Sequence, residues 1–218
     1  MADFTLHITD VKKVFNRRVI FEGIRDCLRK TEALAVTGRN GSGKSTLAKI
    51  IAGVLSPSAG SVVYEYRGVR LKQENLFRHV GFVAPYLQLY DEFSGYENLV
   101  VFARLRALKP TSEMYDRLLE LVNLLSCKND LVRTYSSGMK QRLKYAFALL
   151  HRPPLLVLDE PMANLEAEGV SMVHEVMQQH RQDGILVAAT NDSNDVKYCD
   201  RVLNLDDRSS FASANVRR

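Results

Sequence analysis

An α/β fold built on a mainly parallel sheet is predicted by three features of this sequence. Short unbroken apolar runs at Ala33–Thr37, Leu155–Leu158 and Ile185–Ala189 have the length and composition of strands buried on both faces. Helical segments follow the first two of them, at about Ser45–Val54 and Glu166–Arg181, which is the βα alternation of a parallel sheet. Helical periodicity also dominates from about Tyr96 to Leu150, between the two parts of this core. The expected organisation is therefore an α/β core drawn from both ends of the chain, at 1–85 and 151–207, with a helical insert over about 86–150.

The remaining elements follow from local pattern. Phe4, Leu6 and Ile8 alternate with polar residues and predict an amphipathic strand, with further strands at Val19–Phe21 and around Leu28. Ser56–Gly60 is a turn, followed by a strand at Ser61–Tyr64 and another apolar run at His79–Val83. In the insert, Met114, Leu118, Val122 and Leu125 recur at helical spacing behind the capping sequence Pro110-Thr111-Ser112. Met139, Leu143, Phe147 and Leu150 mark the apolar face of a second helix. The tail from Arg208 to Arg218 is polar and expected to fray.

Length and composition narrow the classes. At 218 residues the chain suits one large domain, or one domain carrying an insertion. The net charge of +5 is scattered over pairs such as Arg17-Arg18 and Arg29-Lys30, which suits a solvated surface better than a nucleic-acid stripe. Cys27, Cys127 and Cys199 are far apart, and no Cys/His cluster accompanies them, so neither a disulfide framework nor a zinc site is expected. No charged-then-apolar leader opens the chain, and no apolar run reaches the roughly 18 residues needed to span a bilayer. A soluble, intracellular chain is expected, one that would need another polypeptide to cross a membrane.

The chemistry starts at Gly38-Arg39-Asn40-Gly41-Ser42-Gly43-Lys44-Ser45, followed by Thr46. This is a Gly-x-x-x-x-Gly-Lys-Ser phosphate-binding loop between a strand and a helix. Its glycines let several backbone N–H groups converge on phosphate oxygens, and the helix N-terminus adds positive potential. Lys44 supplies a point charge for the β- and γ-phosphates, and the Ser45 hydroxyl can ligate Mg²⁺. Farther along, the apolar run 155–158 ends in Asp159-Glu160. Asp159 can hold Mg²⁺ through water opposite Ser45, and Glu160 can polarise an attacking water. Shortly before it stands Tyr135-Ser136-Ser137-Gly138-Met139, opening a helix.

Taken together, these three motifs at these spacings resemble the ATP-binding subunits of ABC transporters, over about Phe4 to Asp207. The resemblance implies a P-loop NTPase core of mainly parallel sheet, an antiparallel β subdomain and an inserted helical subdomain. It implies an ATPase using ATP and Mg²⁺. It also identifies Tyr135–Met139 as the signature motif, in a variant frequent among exporter-type members, with Ser136, Ser137, Gly138 and Met139 contacting nucleotide. Two such subunits would pair head to tail, a homodimer being expected, with each ATP held between one P-loop and the other subunit's signature. A separate transmembrane permease would be the further partner, placing the chain on the cytoplasmic face of the membrane, and no nucleic-acid partner is expected. Phe15 falls where the family places an aromatic ring against adenine; a core or turn aromatic is the plainer alternative. The aromatic-rich segment Tyr86–Phe93 matches the region that receives a short helix of the membrane subunit. A non-transport ABC ATPase acting as an assembly or regulatory switch is the second functional reading.

Three positions depart from the family pattern. Asn191 stands where a His normally contacts the γ-phosphate, and Pro85 where a Gln meets Mg²⁺ and the attacking water, with Gln88 three residues on. Glu166 replaces the usual Asp of the D-loop, Ala163–Glu166. Loss of one charge-assisted hydrogen bond in the transition state costs about 1.5–3 kcal/mol, or roughly 10- to 150-fold in rate. Slow hydrolysis, or hydrolysis accelerated only by a partner, is one expectation; ordinary turnover through local rearrangement is the other.

Overall fold

The computed structural model describes residues 3–207, so the polar tail from Arg208 lies outside the described residues. The chain opens with a hairpin of two long strands, β1 (Phe4–Phe15) and β2 (Arg18–Arg29), followed by β3 (Ala33–Thr37) and α1 (Lys44–Ile51). Next come β4 (Ala59–Tyr66), β5 (Val69–Arg70), a 3₁₀ turn at Gln73–Arg78, and β6 (Val80–Val83). Three helices follow: α2 (Gly95–Leu105), α3 (Ser112–Leu121) and α4 (Ser137–Leu149). The chain then forms β7 (Leu155–Asp159), α5 (Ala167–His180), β8 (Ile185–Ala189), α6 (Ser193–Val196) and β9 (Arg201–Asn204).

These strands make two sheets. An antiparallel sheet has the order β2-β1-β4-β5, and a five-stranded sheet, parallel throughout, has the order β6-β7-β8-β3-β9. The central strands are buried at every residue of 155–159 and 185–189. Successive side chains leave a strand on opposite faces. Leu155, Val157, Ile185 and Val187 accordingly pack with α1 and the antiparallel sheet, whereas Leu156, Leu158, Leu186 and Ala188 pack with α4 and α5. Burial on both sides is why these strands read as continuous apolar runs.

Three local expectations differ from the structure. Val19–Phe21 and the segment around Leu28 belong to one strand, β2. Register shifts against β1 between Ile8 and Val14 break the alternation that would have marked it as continuous. In α3 the buried residues are Tyr115 and Leu119, one position on from the expected Met114 and Leu118, whereas Val122 is buried as expected and Leu118 and Leu125 are partly buried. A tyrosine is a large apolar body with a polar tip, and Tyr115 supplies the inward ring here by packing edge-on against Tyr96, 5.2 Å between centroids. Helix α4 has no single apolar face: Gln141, Leu143, Lys144, Tyr145, Ala146 and Ala148 are all buried. It runs through the centre of the helical layer, where the Tyr145 hydroxyl donates to the Pro161 carbonyl at 2.8 Å. The short edge strand β9 was not signalled by pattern, because four residues are too few to show one.

Candidate nucleotide-binding and hydrolysis site

In the parallel sheet, β7, β8 and β3 are neighbours, and Ala189 at the end of β8 pairs with both Asp159 of β7 and Val36 of β3. Three loops therefore leave the carboxyl edge of the sheet side by side, where ligands bind in open α/β sheets. They are the glycine loop after β3, Glu160 after β7, and Thr190-Asn191 after β8.

The glycine loop is held open by backbone conformation. Gly38, Gly41 and Gly43 have φ of 136°, 81° and 107°, in a region that residues with a Cβ rarely adopt. Gly43 also has no room for a side chain, since a Cβ there would approach Ile20 to 2.6 Å and Phe21 to 2.9 Å. The β1–β2 hairpin is thus pressed against the loop. Gly43 is the N-cap of α1 and provides no side-chain cap, leaving the helix's first N–H groups available to an anion. Lys44 is buried, and its ammonium donates to the carbonyls of Gly38 at 2.7 Å and Arg39 at 3.1 Å.

Ile20, Asn40, Gly41, Gly43, Lys44, Ser45, Thr46 and Glu160 line a cleft of about 250 Å³ here. Glu160 is exposed and has φ 49°, a strained backbone position for a residue with a side chain. Its N–H is pinned to the Ala189 carbonyl at 2.9 Å. Asp159 is almost fully buried, and its Oδ1 has no hydrogen-bond partner, as is also true of the Ser42 hydroxyl. Burial is the main cause that raises the Asp159 pKa above the usual carboxylate value. The Ser45 hydroxyl opposes this, the Glu160 charge adds to it, and the Tyr86 hydroxyl and Lys49 oppose it more weakly. A buried carboxylate oxygen and a buried hydroxyl, both without partners and beside a buried ammonium, fit a triphosphate with a divalent cation.

Asn191 meets this group across the cleft: its Nδ2 donates to Asn40 Oδ1 at 3.0 Å. The turn that presents it is tied down, with the Thr190 hydroxyl donating to buried Asp195 at 2.6 Å and accepting from the Asp192 N–H at 3.0 Å. Arg39 turns outward. Its N–H donates to Asp206 Oδ2 at 2.7 Å and its guanidinium lies 3.4 Å from Oδ1 of the same carboxylate. Phe15, at the tip of the β1–β2 hairpin, is 44% exposed with Lys13 Nζ 4.8 Å from its ring centre. It is not a core aromatic.

The segment after β6 is arranged differently from the family pattern. Pro85 accepts a hydrogen bond at its carbonyl from the Lys144 ammonium. Gln88 lies away from the nucleotide cleft and lines an apolar groove of about 460 Å³ with Phe82, Leu87, Phe102, Leu105 and Phe147. It does not stand in for the missing glutamine in this arrangement. The Tyr86 ring lies 4.1 Å from Lys49 Nζ, and burial, followed by the Asp159 charge, pushes its phenol well above the ordinary tyrosine value.

The Ser136 turn forms a second, separate site. The Ser136 hydroxyl accepts from the Met139 N–H at 3.1 Å and caps α4, whose first residue is Ser137. Gly138 faces the D-loop, where a Cβ would lie 3.1 Å from the Asn164 carbonyl. Ser136, Gly138, Met139, Arg142, Leu165 and Glu166 line a small cleft that shares no residue with the first.

Sequence reasoning missed the contributions of Asp206, Lys144 and the buried Asn98, while Tyr86 was noted only as part of an aromatic segment. Asn98 holds the segment before α2 by donating to the Tyr90, Phe93 and Ser94 carbonyls. Its place beside the capping glutamate, in Ser94–Asn98, was an available signal. Asp206 and Lys144 act only through neighbours distant in sequence and left none.

Comparison with known proteins gives the same reading. The sequence model of the family described as ABC transporter matches residues 21–163. The chain belongs to this family. As an ABC ATPase it is 36% identical over 206 residues to the uncharacterized ABC transporter ATP-binding protein YdbJ of Bacillus subtilis, covering 93% of this chain and 67% of that one. It is 31% identical over 182 residues to the lantibiotic transport ATP-binding protein SrtF of Streptococcus pyogenes, covering 84% of this chain and 77% of that one. Against two further Bacillus subtilis relatives it spans 65% of their length. A solved ATP-binding subunit of an ABC transporter superposes with a TM-score of 0.78 at 27% identity, over 91% of this chain and 85% of that one.

Proposed function

We propose that this ABC ATPase powers a separate membrane-spanning permease, in the export direction, through ATP-driven head-to-tail pairing of two copies. The observation that carries the pairing is the division of the site: the cleft with Lys44, Ser45 and Glu160 and the cleft with Ser136, Gly138 and Met139 have no residue in common. One copy holds a triphosphate on its glycine loop, and the Ser136 turn of the second copy closes over it. The export direction draws on a relative named Nod factor export ATP-binding protein I, from Rhizobium sp., 32% identical over 177 residues. Residues 1–207 act as a single ATPase domain whose helical part, about 86–150, carries the Ser136 turn.

Within that reading, the residues of this chain take defined roles. Bound Mg²⁺ would supply charge neutralisation at the phosphates, with Ser45 and Asp159 as the groups that hold it. Lys44 orients the phosphate chain, Glu160 holds and polarises the attacking water, and Asn191 donates a hydrogen bond at the far side of the cleft. Phe15 offers its exposed ring to the base. Asn191 cannot become cationic and Pro85 has no side-chain donor, so unstimulated hydrolysis is slow.

The apolar groove beside Tyr86–Phe93 fits a short amphipathic helix of the permease. No helix among the described residues is long and apolar enough to cross a membrane, so the permease provides the attachment to the cytoplasmic face. Crosslinking in membranes with trapped ATP tests this. A polytopic membrane protein as the main companion is the expected result. A soluble assembly as the main companion would instead establish a nucleotide-gated switch and overturn transport.

A further inference from the structure

Asn191 is exposed, yet the turn that carries it is anchored in the interior. The anchor is Asp195 of α6, only 1% exposed. Its Oδ2 accepts from the Thr190 hydroxyl at 2.6 Å, and that hydroxyl accepts in turn from the Asp192 N–H at 3.0 Å. Asn191 is thus the one residue spanned between two tied neighbours. The other carboxylate oxygen, Oδ1, faces Nε2 of His174 on α5 at 3.5 Å, and neither atom is hydrogen-bonded to any other group among the described residues. The His174 ring is itself fixed, stacked on Tyr198 with 4.5 Å between centroids and 19° between planes. The Tyr198 N–H returns to the Asp195 carbonyl at 3.1 Å. A carboxylate taken this far out of water is costly unless its oxygens are engaged, and here the engaging groups are the Asn191 turn and α5.

We propose that Asp195, steadied by His174, is a positioning residue that holds Asn191 over the phosphate loop for hydrolysis. The proposal rests on the ATPase reading above, in which Asn191 donates a hydrogen bond across the cleft. The Asn191 amide lies 3.0 Å from Asn40 Oδ1, at the end of a side chain shorter than a histidine's. Reach missing from the side chain has to come from the backbone, and a misplacement of about 1 Å can cost about a hundredfold in rate. The Thr190 N–H fixes one end of that backbone on the Val36 carbonyl of β3 at 3.0 Å. The Thr190 hydroxyl, held by Asp195, fixes the other end through the Asp192 N–H.

The test is steady-state ATP turnover of the whole chain in Mg²⁺, with kcat and KM read separately. Truncating Asp195 would empty a buried position, so the hydroxyl it holds is removed instead, by Thr190→Val, which keeps the shape of the side chain. Asn191→Ala is expected to lower kcat about tenfold at unchanged KM, as for loss of a hydrogen bond to a charged group made only in the transition state. Thr190→Val is expected to lower kcat about as far, again at unchanged KM, with Thr190→Ser restoring it. Adding Thr190→Val to Asn191→Ala is expected to lower kcat no further, because the tied turn then has no amide to aim. His174→Phe keeps a ring on Tyr198, removes the nitrogen facing Asp195, and is expected to lower kcat about threefold at unchanged KM. A parental kcat in Thr190→Val would overturn the role of Asp195. So would a raised KM there, or losses that multiply in the double variant, either of which marks a packing residue. A parental kcat in His174→Phe would overturn the part given to His174. A parental kcat in Asn191→Ala would overturn the reading of Asn191 itself, and the role of Asp195 with it.

Discussion

Two helices of this chain present their N-termini at glycine-containing turns, and the turns are built for opposite purposes. Helix α1 starts from Gly43 with no side-chain cap, beside three adjacent strand ends, and Lys44, Ser45 and Glu160 line one cleft there. Helix α4 starts from Ser136, which caps it, and the cleft there contains neither a strand-borne acid nor a loop lysine. The first turn leaves its donors free, with Lys44 and Glu160 beside them. The second satisfies part of its own helix end and offers a hydroxyl and a close backbone approach. Under the proposed function, that difference separates a half-site that binds the triphosphate from the surface of a second copy that closes over it.

The largest expected effect strikes the first cleft. Glu160→Gln removes the group proposed to polarise water and should cut ATP turnover by about 10²- to 10⁴-fold, while trapping an ATP-bound dimer visible by size exclusion. A strictly monomeric variant would break the comparison, because the second turn would then have nothing to close on. Lys44→Ala should lower ATP affinity by about a hundredfold in equilibrium titration, the scale of a charge-assisted hydrogen bond to phosphate at the upper end. Retained tight binding would show that the loop backbone alone suffices.

Smaller effects sharpen the contrast. Asn191→His restores a side chain that can be cationic across from Asn40, and steady-state turnover should rise about tenfold. An unchanged rate would move the limiting step away from that position. Ser136→Ala removes a helix cap, with an expected cost of about 1 kcal/mol in thermal or urea unfolding. It should leave the ATP affinity of the single copy unchanged and abolish ATP-dependent pairing. Weakened single-copy binding would mean that the two clefts are not independent.

Much of this arrangement is legible in the order of residues along the chain. The strands at 33–37, 155–159 and 185–189 are apolar at nearly every position because both sheet faces are covered, and the glycine loop is constrained residue by residue. Helix faces in the insert are harder to read. In α4 the buried set includes Gln141 and Lys144, so hydrophobicity alone does not identify its inward positions. On α3 a tyrosine takes the inward place expected of aliphatic residues. Asp206 and Lys144 give no signal because each acts through a partner far away in the chain.

The phosphate loop, the acid pair after β7 and the parallel core that holds them are written into the amino-acid order. They depend on local backbone conformation and on burial, both of which leave periodic or motif-like traces. Folding in three dimensions was needed to set Asn191 facing Asn40, to line the groove and not the cleft with Gln88, and to hold the Pro85 peptide with Lys144. Those outcomes depend on which strand ends lie side by side and how far a side chain reaches across them, distances that no spacing along the chain encodes.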